Sequence, residues 1–506
     1  MPLAAAQSWQ LTPSVSLLST LTSNVNLLPS DERRSDWVNQ ITPGLAFSGK
    51  SAHASLTGSV ALPVLVYART SENNYVAPQV NLNGTLEAID KLFYIDTSAN
   101  VSQQYANPFG ARPTDLSSAT QNRYTSQVYT VSPYFKGEPR DGLHYELRQT
   151  STWSNATNVA GGNASGIAGN RSYMSEVKAD LAQDPRPGGW RVTYDRSDLR
   201  YTGDGVQPGF DRETTQTAQA ALAWRPDPTL EGSVLGGYED NDFFATHESG
   251  AIYGGSIEWR PDSRTSLNAH ASHRFFGASY DISFDHHTPL TVWSIKATRD
   301  LSTYPQQIGT LPAGSDVAAL LNGLFSSRVS DPTLRQSLVN QVMAERGLPQ
   351  TLGSAVALYA QQITLAETES ATFGILGARN TVFVNGYRSR NQPVPGTPSD
   401  VLTPLFTTLL DNTQVGANVV WTHNLAANLS AALSGGWSRT TQNGGEFQSA
   451  TNNGSTTLYT ANWTLTQALT ALTSILGGLR YQDSHSDVSA SYREYAVFVG
   501  ITHRFR

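Results

Sequence analysis

Along its whole length the chain alternates apolar and polar residues with a period of two, and no apolar run reaches the ~18 residues that a membrane-crossing helix requires. In the segment Leu143 to Ser154, Leu143, Tyr145, Leu147 and Trp153 share one face, and His144, Glu146, Arg148 and Thr150 share the other. Tyr253, Gly255, Ile257 and Trp259 likewise oppose Ser256, Glu258 and Arg260. Trp293, Ile295 and Ala297 oppose Ser294, Lys296 and Thr298, and Val415 to Thr422 repeats the pattern. Successive side chains of a strand point to opposite faces, so the pattern predicts strands that are oily on one side only. Alternation does not by itself say whether the polar face meets bulk water or an interior.

Composition bears on that choice. Charged residues make up 15% of the 506 positions, against about 25% in ordinary soluble domains, while Ser, Thr, Asn and Gln together make up about 31%. Such a surplus of uncharged polar groups suits a protein with a polar inside. Disorder is disfavoured by 10 Trp, 21 Tyr and 17 Phe spread along the chain. A net charge of -7 without a basic tract argues against a nucleic-acid partner. The absence of cysteine excludes disulfides, thiolate catalysis and Cys-ligated zinc. Residues 1-7 read as the end of a signal peptide with its small-residue cleavage site, and so as a mark of export.

Short and long connections take turns. Compact turns are expected at Ser48 to His53, Glu138 to Gly142, Asp184 to Gly189, Arg225 to Pro228, Arg260 to Arg264, His286 to Pro289 and Gly377 to Thr381. Between many of them lie longer Gly/Asn/Ser-rich segments such as Asn107 to Asn122 and Gln442 to Gly454. That is the rhythm of outer-membrane barrels, with short periplasmic turns and long outer loops. Trp224, Trp259, Trp421 and Trp463 each stand shortly before a turn, where an aromatic girdle would meet lipid headgroups. At the C-terminus Tyr495, Val497, Val499, Ile501, His503 and Phe505 alternate like a closing barrel strand, although Arg506 follows the final aromatic. The fold expected is therefore a transmembrane antiparallel up-and-down β-barrel of about 22 strands, with 18 to 24 allowed.

Three irregularities qualify this. Pro43, Pro63 and Pro133 fall inside apparent strands, where a missing N-H breaks the ladder. The alternation slips near Asp195-Arg196, as a bulge would make it do. Residues 303-366 do not alternate, so they divide the barrel into an N-terminal part (8-302) and a C-terminal part (367-506). Within them, Val317, Leu320, Leu321 and Leu324 follow helix spacing behind Ser315 as a cap. Asp331-Pro332 opens a second helix carrying Leu334, Leu338, Val339 and Val342, and Gly347 stops it. Strand parity puts this insertion on the outer side or in the lumen, as a plug or as a surface cap.

The run Phe284-Asp285-His286-His287-Thr288-Pro289-Leu290-Thr291-Val292-Trp293-Ser294 resembles the outer-membrane β-barrel proteins associated with PEP-CTERM systems and exopolysaccharide gene clusters. Val329 to Arg335, Leu376 to Thr381 and the opening Leu11 to Leu17 with Asn24-Val25 are similar to the same family. The resemblance covers nearly the whole chain and rests on turns and strands, not on a reacting site. It implies a Gram-negative outer membrane and a role in secreting or assembling extracellular polysaccharide. The near-terminal aromatic of the closing strand, with Tyr495, Val497, Val499, Ile501 and Phe505, is by the same resemblance what the barrel-assembly machinery would read.

No phosphate loop, HExxH pair or GxSxG elbow stands in the sequence. Asp285-His286-His287 and the pair His270 and His273 point to opposite faces of regular strands, which disfavours a shared metal. Ser272 beside His273 lacks a recognisable base and oxyanion donors, so no catalytic residue, cofactor or metal is assigned and an enzyme is not expected. The functional material is the polar face. Glu146, Arg148, Arg191, Asp195, Glu258, Arg260 and Lys296 are expected to line the lumen, as selectivity charges or as pairs that only brace the wall. A channel for polysaccharide is the first reading. A scaffold barrel around a partner is the second, and a soluble β-protein such as an adhesin is the third.

Overall fold

The computed structural model describes residues 8-158, 169-203, 211-243, 246-310, 316-326, 363-394, 411-443 and 454-505, together with scattered positions between 329 and 356. The expectations for residues 1-7, for the Ser315 cap, for the Asp331-Pro332 helix start and for the Gly347 stop lie outside the described residues.

The described strands form one closed antiparallel barrel of 22 strands. The N-terminal part contains β1 (Ser8–Thr22), β2 (Asp36–Lys50), β3 (Ala54–Ala61 with Val64–Tyr67), β4 (Tyr75–Val76 with Gln79–Ile89), β5 (Phe93–Tyr105), β6 (Arg123–Arg140), β7 (Leu143–Asn158) and β8 (Arg171–Gln183). It continues with β9 (Gly188–Thr202), β10 (Arg212–Asp227), β11 (Leu230–Phe243), β12 (Thr246–Asp262), β13 (Thr265–Arg274), β14 (Gly277–His287) and β15 (Thr291–Ser302). After helices α1 (Tyr304–Thr310) and α2 (Val317–Ser326) come β16 (Thr364–Leu376), β17 (Asn380–Pro393), β18 (Asn412–Ala426), β19 (Leu429–Gln442), β20 (Ser455–Ala468), β21 (Thr473–Ser486) and β22 (Tyr492–Arg504).

Each strand pairs with its neighbour in sequence, and β22 returns to β1 with Ile501 opposite Leu17, so the sheet has no free edge. The start of β1 and the end of β22 lie at one rim, where the described connections are short turns. The longer connections lie at the opposite rim, together with the two-residue link between β13 and β14. No described helix is long and apolar enough to cross a membrane. The strands make that crossing instead.

The outer face is an apolar belt. Leu222, Val234 and Val499 are 67%, 66% and 62% exposed, a state that water would penalise and hydrocarbon would not. All ten tryptophans face outward, seven of them (Trp9, Trp190, Trp224, Trp259, Trp293, Trp421 and Trp463) toward the turn rim and Trp37, Trp153 and Trp437 toward the other. The rings thus form two girdles, as amphipathic aromatics do at lipid interfaces.

The prolines differ in effect. Pro63 splits β3, and the neighbouring Ala77-Pro78 splits β4, because neither proline has an N-H to give to the ladder. Pro43 and Pro133 sit inside unbroken strands. The bulge expected at Asp195-Arg196 is absent: β9 keeps register with both neighbours, Asp195 facing Lys178 and Arg196 facing Val177. Arg196 continues the outward set of Val192 and Tyr194, but it pairs with outward Asp198 at 3.0 Å, and Arg212 joins at 2.6 Å. The strand has left the apolar belt at this height, so its polarity changes while its phase does not. Register shifts instead cluster beside the short turns, at Gly137/Arg140, Trp224/Asp227, Trp259/Asp262 and Asn424/Ala426.

Candidate functional site: the lumen and its plug

Two segments from the long-loop rim fold into the barrel. The first spans residues 106-122. Its Asp115 and Ser117 bind the Arg480 guanidinium, which also meets Glu494 at 2.8 Å. Glu494 in turn accepts from Thr22 at 2.5 Å, Ser118 at 3.0 Å and Gln482 at 2.7 Å. A fully buried carboxylate and a nearly buried guanidinium are tolerated here because both are paired and hydrogen-bonded. Leu116 and Ala119 pack on Val25, Leu65, Tyr67 and Tyr75. The segment therefore roofs the arc from β20 through β1 to β6.

The second is the insertion, and it enters the lumen instead of capping the surface. The barrel resumes at Thr364, opposite Ser302, so the insertion spans 303-363 and ends three residues earlier than the alternation suggested. α1 lies at the long-loop rim, where the Tyr304 hydroxyl bonds Tyr124 and Ser126 at 2.7 Å each. α2 lies at the opposite, turn-side end. Its Val317, Leu320, Leu321, Leu324 and Phe325 bury against Val292, Leu376, Phe383 and Val420, which project inward from β15 to β18 close to the short turns. Asp316 caps α2 by accepting from the Ala318 and Ala319 amides at 2.8 and 3.2 Å. Val339, Leu348 and Leu352 join the same cluster. On the return path the Asn418 amide donates to the Gly353 carbonyl, Gln414 brackets Val356, and the Ile363 amide donates to buried Glu213 at 2.9 Å. The described residues of the insertion thus contact the wall at the long-loop rim, seal against one arc near its base and contact the wall again up to Ile363.

A cavity of about 540 Å³ remains open on the inner face of β8 to β13, closed on its other side by Thr303, Gln306 and Ile363, and a smaller one of about 300 Å³ lies on the inner face of β3 to β6. Glu176, Lys178, Arg191 and Asp195 bring both signs of charge to the larger one, and Thr193, Ser197, Thr215, Thr217 and Gln219 bring neutral hydrogen-bonding groups. At its rim Arg274 grips Glu239 at 2.7 Å and Asp300 at 2.5 Å.

Of the seven expected lumen residues, Arg191 and Asp195 border this cavity, and Arg191 is held by Asp180 at 2.5 Å. Glu146 and Arg148 lie on the polar face of β7 in a separate network: Arg148 binds Glu146 at 2.7 Å and Asp96 at 2.9 Å, 3.7 Å above the Tyr134 ring. Glu258 and Arg260 pair at 2.6 Å toward the turn rim of β12. Lys296 stands alone of the seven on β15, opposite Ser283 and Ser370. Sequence reasoning missed Glu494, Arg480, Glu239 and Glu213, all buried charges, because most of their partners are distant in the chain.

His270 lines the cavity, while His273 stacks outward on Tyr253 at 5.1 Å, so the pair is split as the strand geometry requires. His286 bonds Thr265. One cluster of metal-ligating type occurs among the described residues, His53 with Glu87 and Asp90 at the turn rim. Glu87 there already accepts from the Lys91 amide at 2.6 Å and Tyr94 at 3.1 Å besides His53, which marks a braced turn.

No protein-family model and no curated protein matches the chain. Among solved structures it is similar to the FrpB iron transporter from Neisseria meningitidis, F5-1 variant, with 9% identity and a TM-score of 0.50 over 98% of this chain and 82% of that one. The siderophore receptor PirA from Acinetobacter baumannii shows 10% identity and a TM-score of 0.48, covering 98% and 80%. OccK3 from Pseudomonas aeruginosa shows 9% identity and a TM-score of 0.30, covering 98% and 96%. At such identity the likeness concerns the fold alone, and the fold is that of outer-membrane β-barrels.

Proposed function

We propose that the chain is a Gram-negative outer-membrane channel for the export or assembly of exopolysaccharide, held closed by residues 303-363. The observation that carries this reading is the pairing of an apolar outer belt with a polar inner wall that keeps a cavity of about 540 Å³ beside the plug. Weak, exchangeable hydrogen bonds from hydroxyls and amides suit the transit of sugars. In this reading lipid covers the outer belt. The barrel-assembly machinery takes the closing strand through Tyr495, Val497, Val499 and Ile501, which face outward, and Phe505, whose amide bonds the Pro13 carbonyl at 2.8 Å.

Liposome swelling tests it. Because Ser302 and Thr364 are direct partners, residues 304-362 are replaceable by a short turn without moving either strand. Liposomes carrying that variant are expected to swell rapidly in a neutral oligosaccharide, and those carrying the full chain slowly. Absence of swelling in both would favour the second reading, a scaffold barrel, which the apolar seal around α2 also suits.

A further inference from the structure

Along much of the lumen wall, polar side chains bond one another or the plug. Ser132 bonds Thr150 at 2.9 Å, Thr130 bonds Thr152 at 3.3 Å, Asn385 bonds Thr372 at 2.8 Å and Gln414 bonds Val356. The cavity wall on β9 and β10 differs. Among the described residues, the side chains of Thr193, Ser197, Thr215, Thr217 and Gln219 make no hydrogen bond within the protein, and all five project into the one cavity. Five adjacent neutral donors and acceptors, pre-set on a rigid sheet and left for a guest, are what a polar ligand needs.

We infer that this wall is a saturable binding site for a neutral, linear oligosaccharide. The inference rests on the passage reading above and names its substrate class. Glu176 and Asp195 oppose a polyanion, while Lys178 and Arg191 oppose a polycation, so the mixed signs select for an uncharged chain. The span from Ser197 to Arg191 along β9 is about 20 Å at about 3.3 Å per residue, which is an extended groove. Thr303 and Gln306, at the start of α1, close its inner side, which leaves little room for branches. No Phe, Tyr or Trp ring lines the cavity among the described residues, and His270 is the one imidazole there, so hydrogen bonds more than stacking hold the guest and release it readily.

The test is a titration of the detergent-solubilised full chain with maltohexaose, followed by saturation-transfer NMR, beside an oligogalacturonate of equal length. Maltohexaose is expected to saturate and the polyanion to bind at least tenfold more weakly. Thr217→Val and Gln219→Leu are each expected to raise the maltohexaose dissociation constant about tenfold, the effect of one lost hydrogen bond of about 1.4 kcal/mol. Thr464→Val, on β20 across the lumen, is expected to leave it unchanged. Equal binding of both oligomers, or equal binding by Thr217→Val and the parent, would overturn the site. The two readings fail separately: binding by a barrel that never swells liposomes overturns passage alone, and swelling without saturable binding overturns this site alone.

Discussion

The arc β15 to β18 and the arc β8 to β13 belong to one wall and share one period, yet they face the lumen with opposite chemistry. The first presents Val292, Leu376, Phe383 and Val420, all under 10% exposed beneath α2 and its neighbours. The second presents Glu176, Lys178, Thr217 and Gln219 to an open cavity. A barrel wall is therefore not one surface inside. Where it carries an apolar inner face it has a resident occupant, and where it carries unpaired polar groups it keeps space.

Substitutions on the two arcs sharpen the contrast. Phe383→Ala removes a buried ring from the seal and is expected to weaken plug docking by about 3–5 kcal/mol. Limited proteolysis of the insertion, at unchanged β-content, would register it. On the roofed side, Glu494→Gln leaves buried Arg480 short of a counter-charge and is expected to cost about 3–5 kcal/mol, read as faster cleavage within residues 106-122. On the lipid face behind the open arc, Leu222→Arg places a charge in the apolar belt and is expected to lower barrel stability by about 2–4 kcal/mol in denaturant titrations. Thr217→Val on the inner face of the same strand is expected to change stability by no more than about 0.5 kcal/mol, since it breaks no bond within the protein. An equal cost on both faces of β10 would erase the distinction between lipid side and lumen.

The smallest effect lies in the turns. Asp141 is hydrogen-bonded by Arg186 at 2.5 Å, which holds its carboxyl below the ordinary carboxylate range. A lowered native pKa contributes stability that is full above the unfolded value of about 3.9 and is lost as pH falls through the lowered one. Asp141→Asn is expected to lower stability slightly at neutral pH and to leave it unchanged at acid pH, where the carboxyl is protonated, so that the acid limb of the stability profile flattens.

The barrel was legible because strict alternation admits few other folds, and the strand count followed from the turn rhythm. The seal was written less plainly. Val382-Phe383-Val384 and Val419-Val420-Trp421 break the alternation with apolar residues on both faces, the mark of a strand covered on both sides. That signal could have placed the insertion inside the lumen. The slip at Asp195-Arg196 misled because the outward face changes polarity where the strand leaves the apolar belt. The Arg480 and Glu494 network was not legible at all. Its contacts with Ser117 and Ser118 join residues more than 360 positions apart, and nothing local in the sequence records them. Of the expected charges, Arg191 and Asp195 met at the cavity because β9 alternates through it, whereas Glu146 and Arg148 were drawn to Asp96 on β5.

The most direct test of the account is single-channel conductance in planar bilayers, comparing the full chain with the variant in which residues 304-362 are replaced by a short turn. The plugged-channel account predicts small, intermittent currents from the full chain and a severalfold larger, steady conductance from the variant. Equal conductance from the two proteins, or a sealed variant, would contradict it.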